Sequence, residues 1–413
     1  MSRRVLSVSS SRADVGILTP VWEALASDEG IDLHVMFTGM HLADGASVPV
    51  LPDRATGHNG GMDIAGSAGH AATAIAAISA AAGDLCAAIE PDLLLVIGDR
   101  LDMFPAVAAS VAFNIPVVHL AGGDLTLGAI DDRLRHAITK LSHVHCAINV
   151  EAAYRIAEMG EQPWRIHVTG ATGLDALLAA PHMSAQSFLD EVGLEEIRGL
   201  RLVTLHPETN AEDPEAPLTA VLAALDVSPR STLFTAPNSD PGGQEMLVKI
   251  RDYVASRPWA EFRDTLGTRL YANALRLATV MAGNSSSGIV EAALFGLNVI
   301  NVGRRQEGRA CGANVHHCAN NRDEVVALLA RLNAPASGQP THSLYGDGRS
   351  AERVARVIAG LPERAKLLRK VHSTAAGDFS PPWSTDDGAA PRRQVIEPRD
   401  GSSSYPNRRP PSV

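Results

Sequence analysis

The chain has 413 residues, of which 45% are hydrophobic and 20% charged, and its formal net charge is −10. This length is enough for two domains, because single hydrophobic cores rarely grow beyond about 250–300 residues. The acidic balance argues against nonspecific binding to nucleic acid or to anionic membranes, which depends on clustered lysines and arginines. We therefore expect neither nucleic acid nor a membrane as a partner.

The N-terminal residues lead directly into a predicted strand, without the apolar core of a signal peptide. No stretch reaches the roughly 20 apolar residues that a membrane-spanning helix needs. The four cysteines are scattered and form no CxxC pair, which is typical of reduced cysteines. These features predict a cytoplasmic protein.

The first half of the chain alternates short apolar strands with Ala-rich helical patterns. Near-continuous apolar strands that alternate with helices predict a parallel sheet covered on both faces. The predicted strands are Val5–Val8, Leu33–Phe37, Leu93–Ile97, Val117–Leu120 and Cys146–Val150, and the predicted helices are Leu18–Ala26, Asp63–Ala88, Pro105–Phe113 and Arg133–Leu141.

The alternation restarts after Thr172, which predicts a second domain of the same kind. Two doubly wound α/β domains, residues 1–172 and 173–374, would then face each other, with ligands beyond the carboxyl ends of their strands. The predicted strands are Leu202–Leu205, Ser231–Thr235, Thr279–Ala282 and Val299–Val302, and the predicted helices are Ala216–Leu225, Gly243–Arg257, Tyr271–Ala278, Gly288–Phe295 and a closing Ala351–Leu361.

The last segment, residues 375–413, is rich in Pro, Ser, Gly and charged residues. It has too few apolar side chains to support a core, so we predict a disordered tail.

Two polar motifs follow predicted strands of the first half. Ser10-Ser11-Arg12-Ala13-Asp14 follows the first strand, where small residues allow a ligand to approach and Arg12 offers a fork of donors suited to phosphate. A surface salt bridge is the alternative for Arg12. Asp99 and Arg100 follow the most apolar strand, where side chains commonly face the cleft, although Asp99 could instead cap the next helix.

A third motif, His119-Leu120-Ala121-Gly122-Gly123-Asp124, is followed by an acidic and basic helix start that contains Asp131 and Asp132. The paired glycines suit a chain that passes close to a substrate. Carboxylates gathered against an arginine and a histidine can have their pKa values pushed apart, as acid/base catalysis requires. The two helix-start aspartates could equally be caps or first-turn acids.

A fourth motif, Gly283-Asn284-Ser285-Ser286-Ser287-Gly288, joins a strand to a helix. Such a turn presents backbone N–H groups and hydroxyls to an anion, helped by the helix N-terminus. Glu291 in that helix could accept from ribose hydroxyls, and Arg305 at the next strand end could supply positive charge. Neither a GxGxxG motif nor zinc-ligand spacing around the adjacent His316 and His317 is present, so no dinucleotide and no metal is expected.

Taken together, these motifs resemble the hydrolysing UDP-N-acetylglucosamine 2-epimerases that supply N-acetylmannosamine for sialic acid synthesis. The resemblance runs in order from the N-terminus to about Gly360. It is carried by SSRAD, TGMHL (38–42), GDRLDM (98–103), IDDRLRHAITKLSHVH (130–145), VTGATGLD (168–175), HPET (206–209) and GNSSSGIVEA (283–292).

The resemblance implies a GT-B-like fold of two Rossmann-like domains and cleavage of UDP-N-acetylglucosamine to UDP and N-acetylmannosamine. The reaction eliminates UDP to a glycal and then adds water, and the family needs no cofactor or metal. Dimers or tetramers are common in the family. The resemblance implies UDP contacts at Arg12, Ala13, Asn238, Ser285, Ser286, Glu291 and Arg305, places Arg100 and His206 near the diphosphate and sugar, and makes Asp99, Asp124 and Asp131 the acid/base candidates.

The third motif departs from the family pattern. Ala121 stands where the family carries a polar residue, and Asp124 replaces a glutamate with a side chain shorter by one methylene. The sugar end of the pocket has therefore changed more than the UDP end. A second substrate, UDP-N,N'-diacetylbacillosamine, and a second activity, GT-B glycosyl transfer, remain open. A binding or regulatory protein without activity is a third reading.

Overall fold

The computed structural model describes residues 2–43, 49–63, 68–125, 130–209, 211–238, 242–332, 343–374 and 377–383. For Arg12, Ala13, Ala68 and Ile130 it describes the backbone alone.

The first half of the chain forms a seven-stranded parallel sheet with the strand order β3-β2-β1-β4-β5-β6-β7. Its central strands are buried along their whole length, as strands covered by helices on both faces must be. The strands are β1 (Arg3–Ser9), β2 (Ile31–Phe37), β3 (Ala55–Asn59), β4 (Leu93–Ile97), β5 (Val117–Leu120), β6 (Val144–Ala147) and β7 (Ile166–Val168).

Helices connect these strands and lie on the faces of the sheet. The first helix begins after Ser11 because the Ser11 hydroxyl accepts from the Asp14 backbone N–H, while the Asp14 carboxylate accepts from the Ser11 backbone N–H. The helices are α1 (Arg12–Ala26), α2 (Ala68–Ile89), α3 (Phe104–Ala112), α4 (Ile130–Leu141), α5 (Val150–Glu158) and α6 (Gly173–Ala179), with short 3-10 turns at Gly39–Leu42 and Pro163–Arg165.

The second half forms a six-stranded parallel sheet with the order β10-β9-β8-β11-β12-β13. Its strands are β8 (Arg201–Thr204), β9 (Thr232–Thr235), β10 (Ala260–Arg263), β11 (Val280–Gly283), β12 (Asn298–Val302) and β13 (Val315–Cys318). Its helices are α7 (Ala185–Val192), α8 (Ala216–Leu225), α9 (Gly243–Ala255), α10 (Gly267–Leu277), α11 (Ser286–Val290), which a 3-10 turn (Ala292–Phe295) follows, and α12 (Arg322–Arg331).

The closing helices α13 (Ser350–Ala359) and α14 (Arg364–Leu368) pack against the first core rather than the second. Val354, Ile358 and Leu367 are buried among side chains of the first sheet. The Asp175 carboxylate caps α13 by accepting from the backbone N–H groups of Ser350 at 3.1 Å and Ala351 at 2.7 Å. The closing helix was expected with residues 173–374, so its packing differs from that expectation, while the division near residue 172 stays a prediction.

Residues 377–383 also differ from the expected disordered tail. The Phe379 ring lies 5.2 Å from the Tyr154 ring in an edge-on contact, and Trp383 Nε1 donates to the Ser343 carbonyl at 3.0 Å. The sequence contains only a few aromatic residues here, so composition alone did not show that they pack. Residues 375–376 and 384–413 lie outside the described part of the chain.

One helix contradicts the expectation that no segment is long and apolar enough to span a membrane. Within α2, the 21 residues Gly69–Ile89 have a mean hydropathy of 1.7, and 28% of that window is buried. Its inner face supplies Ile78, Cys86 and Ile89 to the first core. A single such helix is weak evidence for a membrane span, because a core helix passes the same test.

Candidate active site

The carboxyl ends of strands from the second sheet, together with helices α1 and α6, line an open cavity of about 420 Å³. Parallel α/β sheets bind ligands at this position. The lining residues are Gly16, Ile17, Gly173, Ala176, Leu177, Thr204, His206, Thr235, Asp264, Thr265, Leu266, Gly267, Thr268, Tyr271, Ser285, Ser287 and Glu291. Three of the sequence-predicted residues, His206, Ser285 and Glu291, therefore share one cavity.

The serine turn sits at the end of β11 on a backbone that needs glycine. Gly283 has φ of +146°, and a Cβ there would collide with the Thr204 carbonyl. Ser285 then caps α11, with its hydroxyl accepting from the Ser287 N–H at 3.3 Å. Ser286 is the first residue of α11, so its backbone N–H belongs to the free N-terminal end of the helix. The turn therefore begins a helix as expected, and anion binding by its backbone N–H groups stays a prediction.

Asn284 joins this turn to the HPET motif. Its side-chain amide donates to the His206 carbonyl at 2.9 Å and accepts from the His206 N–H at 2.7 Å. His206 Nδ1 accepts from the Asn238 N–H at 3.0 Å, which leaves the proton of the neutral ring on Nε2. The structure brings Asn238 and His206 together, while their predicted substrate contacts stay predictions. Asn284 holds His206 in place and was not among the residues predicted from the sequence.

Glu291 is half-buried and lies against two hydroxyl groups. Ser287 Oγ donates to its carboxylate, and the Tyr271 hydroxyl contacts Ser287. Burial raises the pKa of Glu291, and the hydrogen bonds from Ser287 and Tyr271 oppose that rise. Tyr271 was predicted only as a helix residue. It is one of five tyrosines in the chain, and a tyrosine within a predicted helix gives no sequence signal for a site.

Arg305 is held by Glu208 of the HPET motif. The Glu208 carboxylate is buried and accepts from the Arg305 N–H at 2.9 Å. Gly303 has φ of +83°, and a Cβ at that position would collide with Glu208 Oε1. The turn after β12 is therefore built around Glu208, to which the sequence reading gave no role.

Arg12 and Ala13 occupy the first turn of α1, and their side chains lie outside the described part of the structure. The preceding turn is rigid because the Asp14 carboxylate accepts from both Ser10 N at 2.8 Å and Ser10 Oγ at 2.7 Å. The predicted phosphate contact at Arg12 stays a prediction.

Arg100 is tied to this turn and to Asp102. Its Nε lies 3.0 Å from Ser10 Oγ and 3.2 Å from Asp102 Oδ1. Asp102 is buried, and burial raises its pKa against the opposing charge of Arg100 and the hydrogen bonds from Arg100 and Ser10. Gly39, with φ of +55°, lets the β2 end pass over Asp102. The Arg100 side chain stays 39% exposed, so it can also meet a ligand.

Arg135 of α4 contacts two of the three candidate residues, Asp99 through its carboxylate and Asp124 through its backbone. Its guanidinium is buried, pairs with Asp99 and donates to the backbone carbonyl of Asp124 at 2.9 Å. Burial and the positive charges of Arg309 and Arg155 lower the pKa of Arg135 to about 10, which leaves it charged at neutral pH. Asp99 thus meets a fixed cation rather than serving only as a helix cap.

Asp131 lies in the first turn of α4 and is half-buried. Its negative charge is near enough to Arg100 to favour the charged guanidinium. The neighbouring Asp132 lies 3.7 Å from the Arg135 guanidinium. The structure therefore places Asp99, Asp124 and Asp131 near Arg135 and Arg100 at the same end of the first sheet, and none of the three aspartates lines the cavity described above.

His119 of the third motif has a structural role. It is fully buried, its Nε2 donates to the Gly98 carbonyl at 2.8 Å, and the Thr139 hydroxyl lies 3.2 Å from its Nδ1. Burial lowers the pKa of His119 to about 3, so the ring is neutral. Ala121 adopts φ of +59°, a conformation uncommon for a residue other than glycine, and turns the chain toward Asp124.

Asp124 faces the second half of the chain. Its Oδ2 lies 3.6 Å from the Arg309 guanidinium, and both side chains are largely buried. Arg309 lies beyond the turn after β12, and the sequence reading had not singled it out. Among the described residues, no group of three or more His, Cys, Asp or Glu side chains could hold a metal ion.

Two facing α/β domains with a cleft at their strand ends define a GT-B-like protein, and the comparisons with known proteins identify its family. The model of the UDP-N-acetylglucosamine 2-epimerase family matches residues 23–359. The chain belongs to this family, and its curated relatives place it with the hydrolysing type.

Two curated relatives match most of the chain. A UDP-N,N'-diacetylbacillosamine 2-epimerase (hydrolyzing) from Legionella pneumophila is 32% identical and covers 90% of this chain and 100% of its own length. A UDP-N-acetylglucosamine 2-epimerase from Neisseria meningitidis is 30% identical and covers 86% of this chain and 95% of its own.

Solved structures agree with the fold. A UDP-GlcNAc 2-epimerase from Neisseria meningitidis, bound to UDP-GlcNAc, superposes with a TM-score of 0.71 at 16% identity and covers 87% of this chain and 100% of its own. A UDP-GlcNAc 2-epimerase from Methanocaldococcus jannaschii, in complex with UDP-GlcNAc and UDP, has a TM-score of 0.67 at 17% identity. It covers 86% of this chain and 99% of its own length. The GT-B-like fold expected from the sequence is confirmed.

Proposed function

We propose that this enzyme cleaves a UDP-activated 2-acetamido sugar with inversion at C2, releasing UDP and the free epimerised sugar. The observation that carries the proposal is the presence of two groups of residues with different chemistry at the strand ends of the two sheets. The serine turn, His206 and Glu291 line a nucleotide-sized cavity, which we call the nucleotide wall. Asp99, Asp124 and Asp131 lie near arginines at the strand ends of the first sheet, outside the lining of that cavity; we call them the carboxylate wall and assign them to the sugar end of the substrate.

The nucleotide wall supplies the stabilisation that a leaving group needs. Elimination breaks the C1–O bond, and UDP takes the electron pair. Backbone N–H groups at Ser285 and Ser286, together with the cations Arg12, Arg100 and Arg305, would hold the diphosphate charge. Glu291, which accepts from Ser287, would also accept from the ribose hydroxyls.

The carboxylate wall supplies the proton transfers. One aspartate takes the proton from C2, and the C2–H electrons form the C1–C2 double bond of the glycal as UDP leaves. Water then adds its hydroxyl to C1, and a proton returns to C2 from the opposite face. A base and an acid on opposite sides of the ring are required, and Asp99, Asp124 and Asp131 are the candidates.

A glycosyl transfer would need no base at C2, so the grouping of three aspartates favours epimerisation. The substrate we place first is UDP-N,N'-diacetylbacillosamine, ahead of the UDP-N-acetylglucosamine expected from the sequence. This order is supported by the names of the Legionella relative and of a second relative, a GDP/UDP-N,N'-diacetylbacillosamine 2-epimerase (hydrolyzing) from Campylobacter jejuni that is 30% identical over 76% of this chain.

The test incubates the purified protein with each UDP sugar in deuterium oxide and follows the sugar by proton NMR. We expect UDP release without an acceptor, and deuterium at C2 of the epimerised free sugar. Stable UDP sugars in both incubations would overturn the proposal, and UDP-GlcNAc turnover alone would reverse the substrate order. Asp99→Asn, Asp124→Asn and Asp131→Asn identify the base, since its loss should lower kcat by about 10²–10⁴-fold.

Dimer or tetramer formation and a cytoplasmic location stay predictions.

A further inference from the structure

The turn after β12 continues into a compact loop that reaches across the cleft. We call residues 303–310 the bridging loop. The Gln306 side chain is buried and donates through Nε2 to the Asn284 carbonyl at 2.9 Å, and the Arg309 N–H donates to the Gln306 carbonyl at 3.2 Å. The Tyr345 hydroxyl donates to the Ala310 carbonyl at 2.8 Å. The loop is therefore fixed at both ends.

The bridging loop joins the two walls of the cleft. Asn284 is the second residue of the serine turn, residues 283–288, and it holds His206 through two hydrogen bonds. At its other end, Arg309 lies 3.6 Å from the carboxylate of Asp124, which the first sheet supplies. A short path of contacts thus runs from the nucleotide wall to one acid/base candidate.

Asp124 has few cations that could replace Arg309. Arg135 binds the Asp124 backbone carbonyl, and Arg155 of α5 binds the Gly123 carbonyl. The other charged or titratable neighbours are Glu151 of α5 and Tyr345, whose interactions with Asp124 disfavour their ionised forms. Arg309 is the described cation that pairs with the Asp124 side chain.

We propose that Arg309 is a positioning residue that the second half of the chain supplies to orient the Asp124 carboxylate. The proposal rests on the function proposed above. A residue that bridges the halves also makes the acid/base geometry depend on the position of the nucleotide-binding half. The side chain of Asp124 is one methylene shorter than the glutamate of the family pattern, and the Arg309 guanidinium lies 3.6 Å from its carboxylate.

The experiment compares Arg309→Gln and Arg309→Lys with Arg304→Gln, in the full-length chain. Arg304 lies in the same loop, but its side chain is 82% exposed and pairs with Glu307. We expect Arg309→Gln to lower kcat by about 10–100-fold, because small misplacements of a catalytic group are costly. UDP affinity should stay within about threefold of wild type in all three variants, because neither Arg304 nor Arg309 is among the residues assigned to the nucleotide. Arg304→Gln should leave kcat unchanged.

The separate effects on kcat and KM distinguish positioning from general damage. Arg309→Gln should lower kcat while KM for the UDP sugar stays within about threefold of wild type, and Arg309→Lys should restore part of the lost kcat. An unchanged kcat in Arg309→Gln would overturn the proposal.

A thermal double-mutant cycle tests the same contact without any turnover. Arg309→Gln should lower Tm by about 2 °C in the wild-type background, a shift expected for loss of one partly buried pair. It should have no further effect in Asp124→Asn. Equal losses in both backgrounds would show that Arg309 acts elsewhere. A wild-type protein that turns over neither UDP sugar would refute the proposed function, while this cycle would still decide the contact.

Discussion

The carboxylate of Glu161 accepts from Lys370 Nζ at 2.9 Å, and this pair fastens the C-terminal segment to the first sheet. Glu161 is fully buried and also binds Lys140 Nζ at 2.6 Å and His145 Nε2 at 3.2 Å. Lys370 donates in addition to the carbonyls of Lys140 and Ser142, both at 2.6 Å. One buried acid thus organises two lysines that lie 230 residues apart.

Glu161→Gln should therefore destabilise the protein strongly. Removing one partner of a buried ion pair leaves an uncompensated charge, which costs about 3–5 kcal/mol. Urea unfolding measures the change, and Glu196→Gln is the control, because Glu196 is 64% exposed and pairs with a surface arginine. Equal stability of the two variants would contradict the role assigned to Glu161.

Stability should fall as the pH is lowered below about 6.5, in part through His119. The pKa of His119 is about 3 in the folded protein and about 6.5 when unfolded, so the unfolded state binds more protons between these values. The stability contributed by the neutral ring is complete above pH 6.5 and is lost toward pH 3, at about 1.4 kcal/mol per pH unit.

His119→Gln removes this titration and keeps a donor for the Gly98 carbonyl. The difference in unfolding free energy between wild type and His119→Gln should therefore change with pH between about 7 and 4. Urea unfolding at pH 7, 6 and 5 measures it. Parallel pH dependences of the two proteins would show that His119 is not buried in its neutral form.

Glu291→Gln should weaken UDP binding by about 10–100-fold, since hydrogen bonds to a charged group contribute about 1.5–3 kcal/mol. Isothermal titration with UDP measures the loss. Glu245→Gln serves as the control, because Glu245 is an exposed first-turn acid of α9 in the same half of the chain. A loss of similar size in Glu245→Gln would point to a general charge effect.

Truncation should separate the packed and the undescribed parts of the C-terminal segment. A chain that ends at residue 383 keeps the Phe379–Tyr154 contact and the Trp383 hydrogen bond to Ser343. A chain that ends at residue 374 loses both, and its Tm should fall by about 5 °C, given the usual free energy of aromatic burial. Identical Tm values of the two truncated chains would support the expectation that residues 375–413 form a disordered tail.

The sequence by itself determined the two α/β arrays and the places of the candidate site motifs along them. Apolar strands such as Leu93–Ile97 are buried on both faces, so their pattern is continuous and easily recognised. The motifs that follow them were correctly expected at strand ends, where parallel topology gathers side chains. Strands at or near the sheet edges were missed, including β3 and β10, whose partly exposed residues carry no such pattern.

Only the tertiary structure decided which groups hold the site together. The Glu208 carboxylate accepts from the backbone N–H of Arg305, which lies 97 residues later in the chain. The Arg309 guanidinium pairs with the Asp124 carboxylate from the other half of the chain. No local spacing encodes such pairs, because they form only when two separately wound sheets face each other. The packing of α13 on the first core and of Phe379 on Tyr154 has the same origin. Local pattern fixes the elements, and long-range burial and charge pairing fix their partners.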